Sequence, residues 1–304
     1  MSTPETVTAE SLNKLYLSKN IGDSENPEDN RLSLETSVGQ VEVISNMGGE
    51  ESKYKRNEDS AFVLCHDGVV TCGVIDGAGG SGNGYLASSI ANAAFRESLM
   101  VSADFKIAVK FADEEVRRNG NDLYATATAV QIKETEKGGQ YEVDVMGVGD
   151  AKTMIVRGDI ILREGTTEPQ NVAYKALLGS DNEQGYYTHP KLNIITGGLG
   201  VPEPELHDRP RFKAIVAESG DIIVMASDGL WDNVSEYEIV EIIKKAEHDP
   251  KKIEQEIFKL AYERNNSKSE FIIQHDAKTT VNKTIYKEGK KKGDNITVAV
   301  IGLK

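Results

Sequence analysis

The sequence contains little cysteine and no long apolar run. Cys65 and Cys72 are the two cysteines among 304 residues, and their spacing is not that of a metal site. This excludes a disulfide framework and indicates a reducing intracellular compartment, although one cross-strand disulfide stays possible. No stretch reaches the roughly 18 apolar residues of a membrane span, and the N-terminus lacks the basic-then-apolar pattern of a signal peptide. We therefore expect a soluble, cytoplasmic protein.

Basic residues are scarce relative to acidic ones. The 35 lysines and arginines face 49 aspartates and glutamates, which gives a net charge of −14. Such an excess opposes broad electrostatic binding to nucleic acid or to an anionic membrane surface. We expect neither partner and predict a monomer. A solvated surface explains most of the carboxylates, so only clustered or unusually placed ones indicate a site.

The order of apolar patterns predicts one catalytic-size domain behind a polar arm. Residues 1–35 show no sustained apolar period and are predicted to form an unstructured or loosely docked arm. Residues 36–304 form the predicted domain, which is of the α+β class because its strands come in runs with paired helices between them. The predicted elements are a hairpin ending at Asp76, helices over 84–100 and 102–120 with a Ser cap on the second, a strand meander over 124–164, a hairpin over 211–226, two further helices and a last strand from Asp294.

Four aspartates share one context, the end of an apolar strand followed or preceded by a glycine turn. They are Asp76 in VIDGAGG, Asp150 in MGVGDA, Asp228 in VMASDGLWD and Asp294 in KGDNITVAV. Glu58 and Asp59 instead open a strand. Each acid alone is ordinary turn chemistry. If the acids lie together, cations must neutralise them, and short carboxylates suit hard divalent ions. The residues alone leave both possibilities open.

The ordered motifs carry a resemblance to a known family. NEDS, DGAGG, TATA, GVGDA, SDGLWD and GDNIT, in this order, resemble the metal-dependent Ser/Thr protein phosphatases of type 2C, the PPM family. The resemblance covers about residues 40–304. It implies a four-layer αββα sandwich of two mostly antiparallel sheets, with two Mn²⁺ or Mg²⁺ ions and a weaker third at one end. It also implies hydrolysis of phosphoserine and phosphothreonine in protein substrates.

The resemblance implies a role for each matching residue. Asp76 would bridge two ions, and the backbone carbonyl of Gly77 would bind one of them. Asp228 and Asp294 would hold the other ion. Glu58 and Asp59 would order the second ion. Asp150 would contact the weaker third ion, and Asn295 would support the site.

Two departures from the family pattern concern substrate binding and protonation of the leaving group. Tyr54 occupies the position of the family's phosphate-binding arginine, and Arg56 is the preferred replacement among the neighbouring basic residues Lys53, Lys55 and Arg56. The alternative that all three are surface charges stays open. Ala78 replaces a histidine that many members carry as a candidate general acid, and His189 is a remote substitute. We assign the catalytic roles to Arg56, Asp59 and Asp76.

Two other functions remain compatible with these residues. A catalytically silent member of the family would act as a binding or scaffolding module, and a third possibility is a phosphatase of small phosphorylated metabolites. Retention of Asp76, Asp228 and Asp294 favours the enzyme, whereas Ala78 and the displaced arginine favour the silent module.

Overall fold

The computed structural model of the protein describes residues 30–48, 56–78, 83–102, 104–120, 122–177, 189, 191–201, 209–266, 269–276, 281–288 and 293–304. The strands are β1 (Arg31–Glu35), β2 (Gly39–Asn46), β3 (Asp59–His66), β4 (Val69–Ala78), β5 (Tyr124–Glu134), β6 (Gln140–Val148), β7 (Lys152–Arg157), β8 (Ile160–Ile161), β9 (Arg211–Glu218), β10 (Ile222–Ala226), β11 (Ser269–Asp276), β12 (Val281–Glu288) and β13 (Ile296–Leu303). The helices are α1 (Gly84–Val101), α2 (Phe105–Asn119), α3 (Val172–Leu177), α4 (Asp228–Trp231), α5 (Glu236–Lys245) and α6 (Pro250–Asn265).

Two antiparallel sheets stack face to face between two layers of helices. One sheet has the order β1-β2-β13-β10-β7-β8, the other has the order β3-β4-β5-β6-β9, and β11 pairs separately with β12. Valines and isoleucines of both sheets, such as Val43, Val74 and Ile223, fill the space between them. α1 and α2 bury their apolar residues against the five-stranded sheet, and α5 and α6 do so against the six-stranded sheet. The predicted αββα sandwich is therefore confirmed.

Local sequence explains where several elements begin and turn. The β3–β4 hairpin is confirmed, and its two turn residues, Asp67 and Gly68, have the positive φ angles of 50° and 77° that a tight hairpin turn requires. α5 begins after Ser235, which forms a capping box with Glu238. The predicted Ser cap of α2 is wrong. Asp104 caps that helix, because its carboxylate accepts hydrogen bonds from the backbone amides of Lys106 and Ile107.

The first strand lies inside the predicted polar arm. β1 pairs along its whole length with β2, so the ordered sheet begins at Arg31 and not at residue 36. The Arg31 side chain anchors this strand through an ion pair of 2.6 Å with Glu254 on α6, whose carboxylate is buried. Leu34 of β1 is also buried in the core between the sheets, with Leu32 packed against that core, so the strand joins the sheet through apolar burial as well as through its pairing with β2. Residues 1–29 lie outside the described residues.

Two predicted strand pairings are wrong, for the same topological reason. β9 and β10 do not form a hairpin, because β9 pairs with β6 whereas β10 lies between β7 and β13 in the other sheet. The burial of the two strands explains the separation: all five residues of β10 are buried, and β9 exposes most of its residues as an edge strand does. The predicted meander divides in the same way after β6, where Gly149 turns at a φ of 81° and the chain crosses to β7.

Two simpler expectations concern the cysteines and the membrane. Cys65 and Cys72 are free and buried, on the neighbouring strands β3 and β4. Among the described helices, none combines the length and the apolar character that spanning a bilayer demands.

Candidate metal centre

Asp59 and Asp76 face each other at the end of the β3–β4 hairpin. The backbone amide of Gly77 donates to the carbonyl of Glu58 at 3.0 Å, which makes that pair hydrogen bonded and its neighbour, Asp59 with Asp76, non-hydrogen-bonded. Side chains at such antiparallel positions are closest to each other. The two carboxyl groups form a hydrogen bond, so one of them holds a proton when no cation is present.

The other strand-end aspartates converge on this pair. Asp294 precedes β13, Asp228 opens α4 directly after β10, and Asp150 follows β6. Each of these three carboxylates acts electrostatically on Asp76 or on its immediate neighbours, although they come from both sheets. The sandwich therefore brings the four predicted aspartates together at one end, together with Asp59.

Burial and mutual repulsion disfavour the ionised forms of these carboxylates. Burial, opposed by hydrogen bonds and reinforced by the charge of Asp294, raises the pKa of Asp59 to about 7. Burial and then the charge of Asp232 raise the pKa of Asp150 to about 7. The pKa values of Asp76 and Asp228 are raised well above their usual range, first by burial and then by their acidic neighbours. A cation that neutralises the ionised carboxylates therefore stabilises a cluster of this kind.

Asp232 is a member of the cluster that the sequence analysis missed. Its side chain is buried, and its charge acts on both Asp150 and Asp228. Asp228 and Asp232 lie four residues apart in SDGLWD, where the one-turn helix α4 carries the chain from one to the other. That spacing places both side chains on one face of the turn, and it was the available signal.

A buried network of neutral side chains fixes Asp59 from below. Ser227 donates its hydroxyl to Asp59 Oδ2 at 2.7 Å, and the Thr297 amide donates to the same hydroxyl oxygen at 3.1 Å. The Asp59 amide donates to Asn57 Oδ1 at 3.1 Å, and Asn57 donates in turn to Ser45. Asp59 is thus held from both sheets, with its carboxyl group directed toward Asp76.

Asn295 links the two acidic segments at the rim, and its supporting role at a metal centre stays a prediction. Its side-chain Oδ1 accepts from the backbone amide of Glu58 at 2.8 Å, and its backbone amide donates to Asp294 Oδ1 at 3.1 Å. Asn265 at the end of α6 binds both the amide and the carbonyl of Asp294. These bonds fix the backbone at Glu58 and Asp294 through two asparagine side chains and the Asp294 carboxylate.

Glycine is required where β4 approaches α1. A Cβ atom on Gly77 would overlap the Gly84 carbonyl and lie 2.8 Å from the Glu58 carbonyl oxygen. A Cβ atom on Gly84 would in turn overlap the Gly77 carbonyl and come within 2.8 Å of the Glu58 carboxylate. Two backbones and one carboxylate thus meet at this point, which explains the glycine after Asp76.

The donor set suits hard divalent cations. It consists of carboxylate and carbonyl oxygens, which Mg²⁺ and Mn²⁺ prefer. Within the described ranges, however, no three histidine, cysteine or acidic side chains surround a single point as one metal's ligands. This spacing fits ions that keep several waters and take one or two carboxylates each, as Mg²⁺ does. The residues therefore fit divalent ions that keep part of their water shell, rather than ions enclosed entirely by protein ligands.

The two departures from the family pattern concern Arg56, which would bind phosphate, and Ala78 or His189, at the place of the general acid. The guanidinium of Arg56 lies 4.6 Å from the centre of the ring of Tyr85, which follows Gly84 in α1. Lys53, Tyr54 and Lys55 lie outside the described residues. Ala78 ends β4 opposite Tyr124 and offers no proton. His189 bonds within its own loop, where its Nδ1 accepts from the Lys191 amide.

Comparison with protein families matches residues 195–269 to the family described as Protein phosphatase 2C. Among curated relatives, the serine/threonine phosphatase stp of Listeria innocua is 26% identical over 140 residues, which cover 46% of this chain and 50% of that protein. The chain thus spans about half the length of this relative.

Solved structures share the fold. The Streptococcus agalactiae (S. agalactiae) serine/threonine phosphatase superposes with a TM-score of 0.65 at 20% identity over 87% of this chain and 99% of that one. The catalytic domain of the serine/threonine protein phosphatase PstP, solved in complex with 2 manganese ions, superposes with a TM-score of 0.57 at 20% identity. The superposition covers 86% of this chain and 97% of that one. The predicted fold and the resemblance to the type 2C phosphatases are thereby confirmed.

Proposed function

We propose that this relative of the type 2C phosphatases hydrolyses phosphoserine and phosphothreonine in proteins, and that its buried carboxylates hold Mn²⁺ or Mg²⁺ for this reaction. One observation carries the proposal: Asp59, Asp76, Asp150 and Asp228 converge from both sheets, and burial together with their acidic neighbours raises the pKa of each of these four carboxyl groups. Such a cluster is costly to fold without cations. Structural carboxylates have no reason to accumulate at one point.

The roles of the metal-binding residues follow from their places. Asp76 lies at the centre of the cluster and would contact two ions, with the Gly77 carbonyl beside it. Asp228 and Asp294 would hold the ion that Gly77 does not contact, partly through water molecules, and Asp59 with Glu58 would orient the waters of the other. Asp150 and Asp232 would take a weaker third ion. When bound, a pair of such ions lowers the pKa of water and neutralises phosphoryl charge.

The remaining residues act on the substrate. Arg56 would donate from its guanidinium to two phosphoryl oxygens, because a planar fork matches that geometry. Ala78 cannot protonate the leaving serine or threonine oxygen, so that proton must come from solvent at the rim. Neither cysteine can form a phosphoenzyme, since burial raises the pKa of Cys65 to about 11 and raises that of Cys72 further.

The proposed setting is the reducing interior of a cell. Its support is that Cys65 and Cys72 are unpaired although they lie on neighbouring strands. The net charge of −14 also argues against nucleic acid as a substrate or partner.

Phosphate release from phosphoserine peptides and from small sugar phosphates, with Mn²⁺ and with chelator, tests this function. We expect metal-dependent release from the peptides and slow release from the metabolites. The Asp228→Asn variant should fold like the wild type and lose the activity. The absence of metal-dependent release above this variant would assign the protein to the silent, scaffolding class. Faster release from the metabolites would assign it to the third class.

A further inference from the structure

Strand β5 places two buried threonines at the end of the sandwich that holds the carboxylate cluster. Successive side chains of a strand point to opposite faces of the sheet. Val130 of β5 lies in the core between the two sheets, whereas the alanines of the TATA segment pack on the helical side. Thr126 and Thr128, which are an even number of residues from Val130, therefore face the space between the sheets.

Thr126 is the cross-strand neighbour of Asp76. The two residues lie directly opposite each other in the pairing of β5 with β4. Val74, two residues before Asp76, lies in the core between the sheets, so the side chains of Asp76 and Thr126 share this face. Cβ atoms at directly opposite positions are about 4.5–5.5 Å apart. The Thr126 hydroxyl is thus beside the residue at the centre of the carboxylate cluster.

The Thr126 hydroxyl differs from the neighbouring buried hydroxyls in having no partner. Three hydrogen bonds join the others: Ser227 to Asp59 at 2.7 Å, Ser45 with Thr297 at 2.6 Å and Thr128 with Thr153 at 2.5 Å. Thr126 is only 1% exposed, and its Oγ1 has no hydrogen-bond partner among the residues that the structure describes. A buried hydroxyl without a partner destabilises the folded state, and native proteins rarely keep one without a reason.

The turn before Asp150 restricts the Thr126 side chain from the other side. A Cβ atom on Gly149 would lie 2.5 Å from Thr126 Cγ2, so the threonine methyl group already occupies the space beside Gly149. Gly149 turns there at a φ of 81° and directly precedes Asp150. A β-branched side chain also has few rotamers to choose from. Thr126 is therefore held between Asp76 and the turn that carries Asp150.

We propose that the Thr126 hydroxyl positions a hydration water of a divalent cation held by Asp76. The inference rests on the proposed function, in which Asp76 binds such ions. A water that ligates a cation turns its oxygen toward the ion and its hydrogens away, so it donates hydrogen bonds to its surroundings. The hydroxyl oxygen of Thr126 has the lone pairs to accept one of them. Thr126 is thus a positioning residue that acts through this water and does not itself ligate the ion.

Three variants test this role. Thr126→Val replaces the hydroxyl by a methyl group of similar size, and Thr126→Ser keeps the hydroxyl. Thr128→Val is the matched control, because it removes a hydroxyl on the same face of β5 that is already bonded, to the Met146 carbonyl at 3.1 Å and to Thr153.

The variants should differ in chelator and in Mn²⁺. In chelator, the Tm of Thr126→Val should equal or exceed that of the wild type, because the lost hydroxyl has no partner there, and the Tm of Thr128→Val should fall. In calorimetric titrations, Thr126→Val should bind Mn²⁺ about tenfold more weakly than the wild type. Thr126→Ser and Thr128→Val should bind Mn²⁺ with the wild-type Kd.

Two results overturn the proposal. One is a Thr126→Val protein that binds Mn²⁺ as tightly as the wild type. The other is a Tm of Thr126→Val that falls in chelator as far as that of Thr128→Val, because this loss would reveal a partner that is present without metal.

These measurements need no turnover, which separates the role of Thr126 from the proposed function. The expected result supports that role even if no phosphate is released from any substrate. Metal-dependent phosphate release together with unchanged Mn²⁺ binding by Thr126→Val overturns the role and leaves the proposed function intact. A wild type that binds no Mn²⁺ overturns both.

Discussion

Asp59 and Asp76 lie directly opposite each other on β3 and β4, with their carboxyl groups hydrogen bonded. Two adjacent buried carboxylates cannot both be ionised without a cation between them. This pair connects the order of the strands to the chemistry of the site, and the first prediction depends on it.

The stability of the metal-free protein should fall as the pH rises from about 5 to 8. Asp59 has a folded-state pKa of about 7, above the unfolded value, so its contribution is full at low pH and is lost as the pH passes 7. We expect a loss on the order of 3 kcal/mol, measured by urea unfolding in chelator at several pH values.

Two comparisons make this prediction specific. Asp59→Asn cannot ionise, so its stability should change less over the same pH interval. Added Mn²⁺ should remove most of the loss in the wild type, because the ion replaces the proton. A wild type that is equally stable at pH 5 and pH 8 in chelator would contradict the pKa assignment.

Asp232→Asn should have opposite effects on the metal-free and the metal-loaded protein. Removing the charge that acts most strongly on Asp150 relieves repulsion and should stabilise the metal-free form at pH 8 by about 1 kcal/mol. The same change should weaken binding of the last Mn²⁺ ion in calorimetric titrations. Asp159→Asn, in an exposed turn, is the control. Unchanged metal binding by Asp232→Asn would exclude this residue from the centre.

The glycine contact between β4 and α1 should be intolerant of a methyl group. Alanine normally stabilises a helix over glycine by about 1 kcal/mol. Gly84→Ala should instead destabilise the protein by about 1 to 3 kcal/mol, because its Cβ overlaps the Gly77 carbonyl. The matched control, Gly120→Ala, has extended backbone and meets only the flexible Leu123 side chain at 3.1 Å. Thermal unfolding compares the two variants, and a Gly84→Ala protein as stable as the control would show that this contact can relax.

Arg56 and Tyr85 should act together in substrate binding. Arg56→Ala should raise KM for a phosphopeptide about tenfold with a smaller effect on kcat, because the guanidinium binds the phosphoryl group before and during reaction. Tyr85→Leu should raise KM in the same direction by releasing the stacked guanidinium, and Tyr85→Phe, which keeps the ring, should not. If Arg56→Ala leaves KM unchanged, the role passes to Lys53 or Lys55.

The pattern of strand ends identified the candidate carboxylates, because aspartate before or after a glycine turn fixes the place of a carboxylate along its own strand, but it left open whether they lie together. Asp76, Asp150, Asp228 and Asp294 could be identified in this way, and the resemblance to the type 2C family supplied the sheet order that brings them together. Turn chemistry likewise predicted the β3–β4 hairpin through Asp67 and Gly68.

The remaining features depend on contacts between distant segments. The separation of β9 from β10 is decided by which strand can be buried on both faces, a property of the assembled sandwich. Arg31 finds its buried partner 223 residues away on α6, so composition alone placed β1 in the arm. Asp232 was overlooked because an acidic residue inside a helical turn looks like an ordinary solvated residue. The contact of Arg56 with Tyr85 joins the segment before β3 to α1, and no sequence pattern predicts that these two segments meet.

The most direct test of the central claim is phosphate release from a phosphoserine peptide while Mn²⁺ is titrated into the chelator-treated protein, with Asp76→Asn in parallel. The account predicts release that is absent without metal, rises to saturation with Mn²⁺ in the wild type, and stays near background in Asp76→Asn at every Mn²⁺ concentration. Release that does not depend on metal, or an Asp76→Asn variant as active as the wild type, would contradict it.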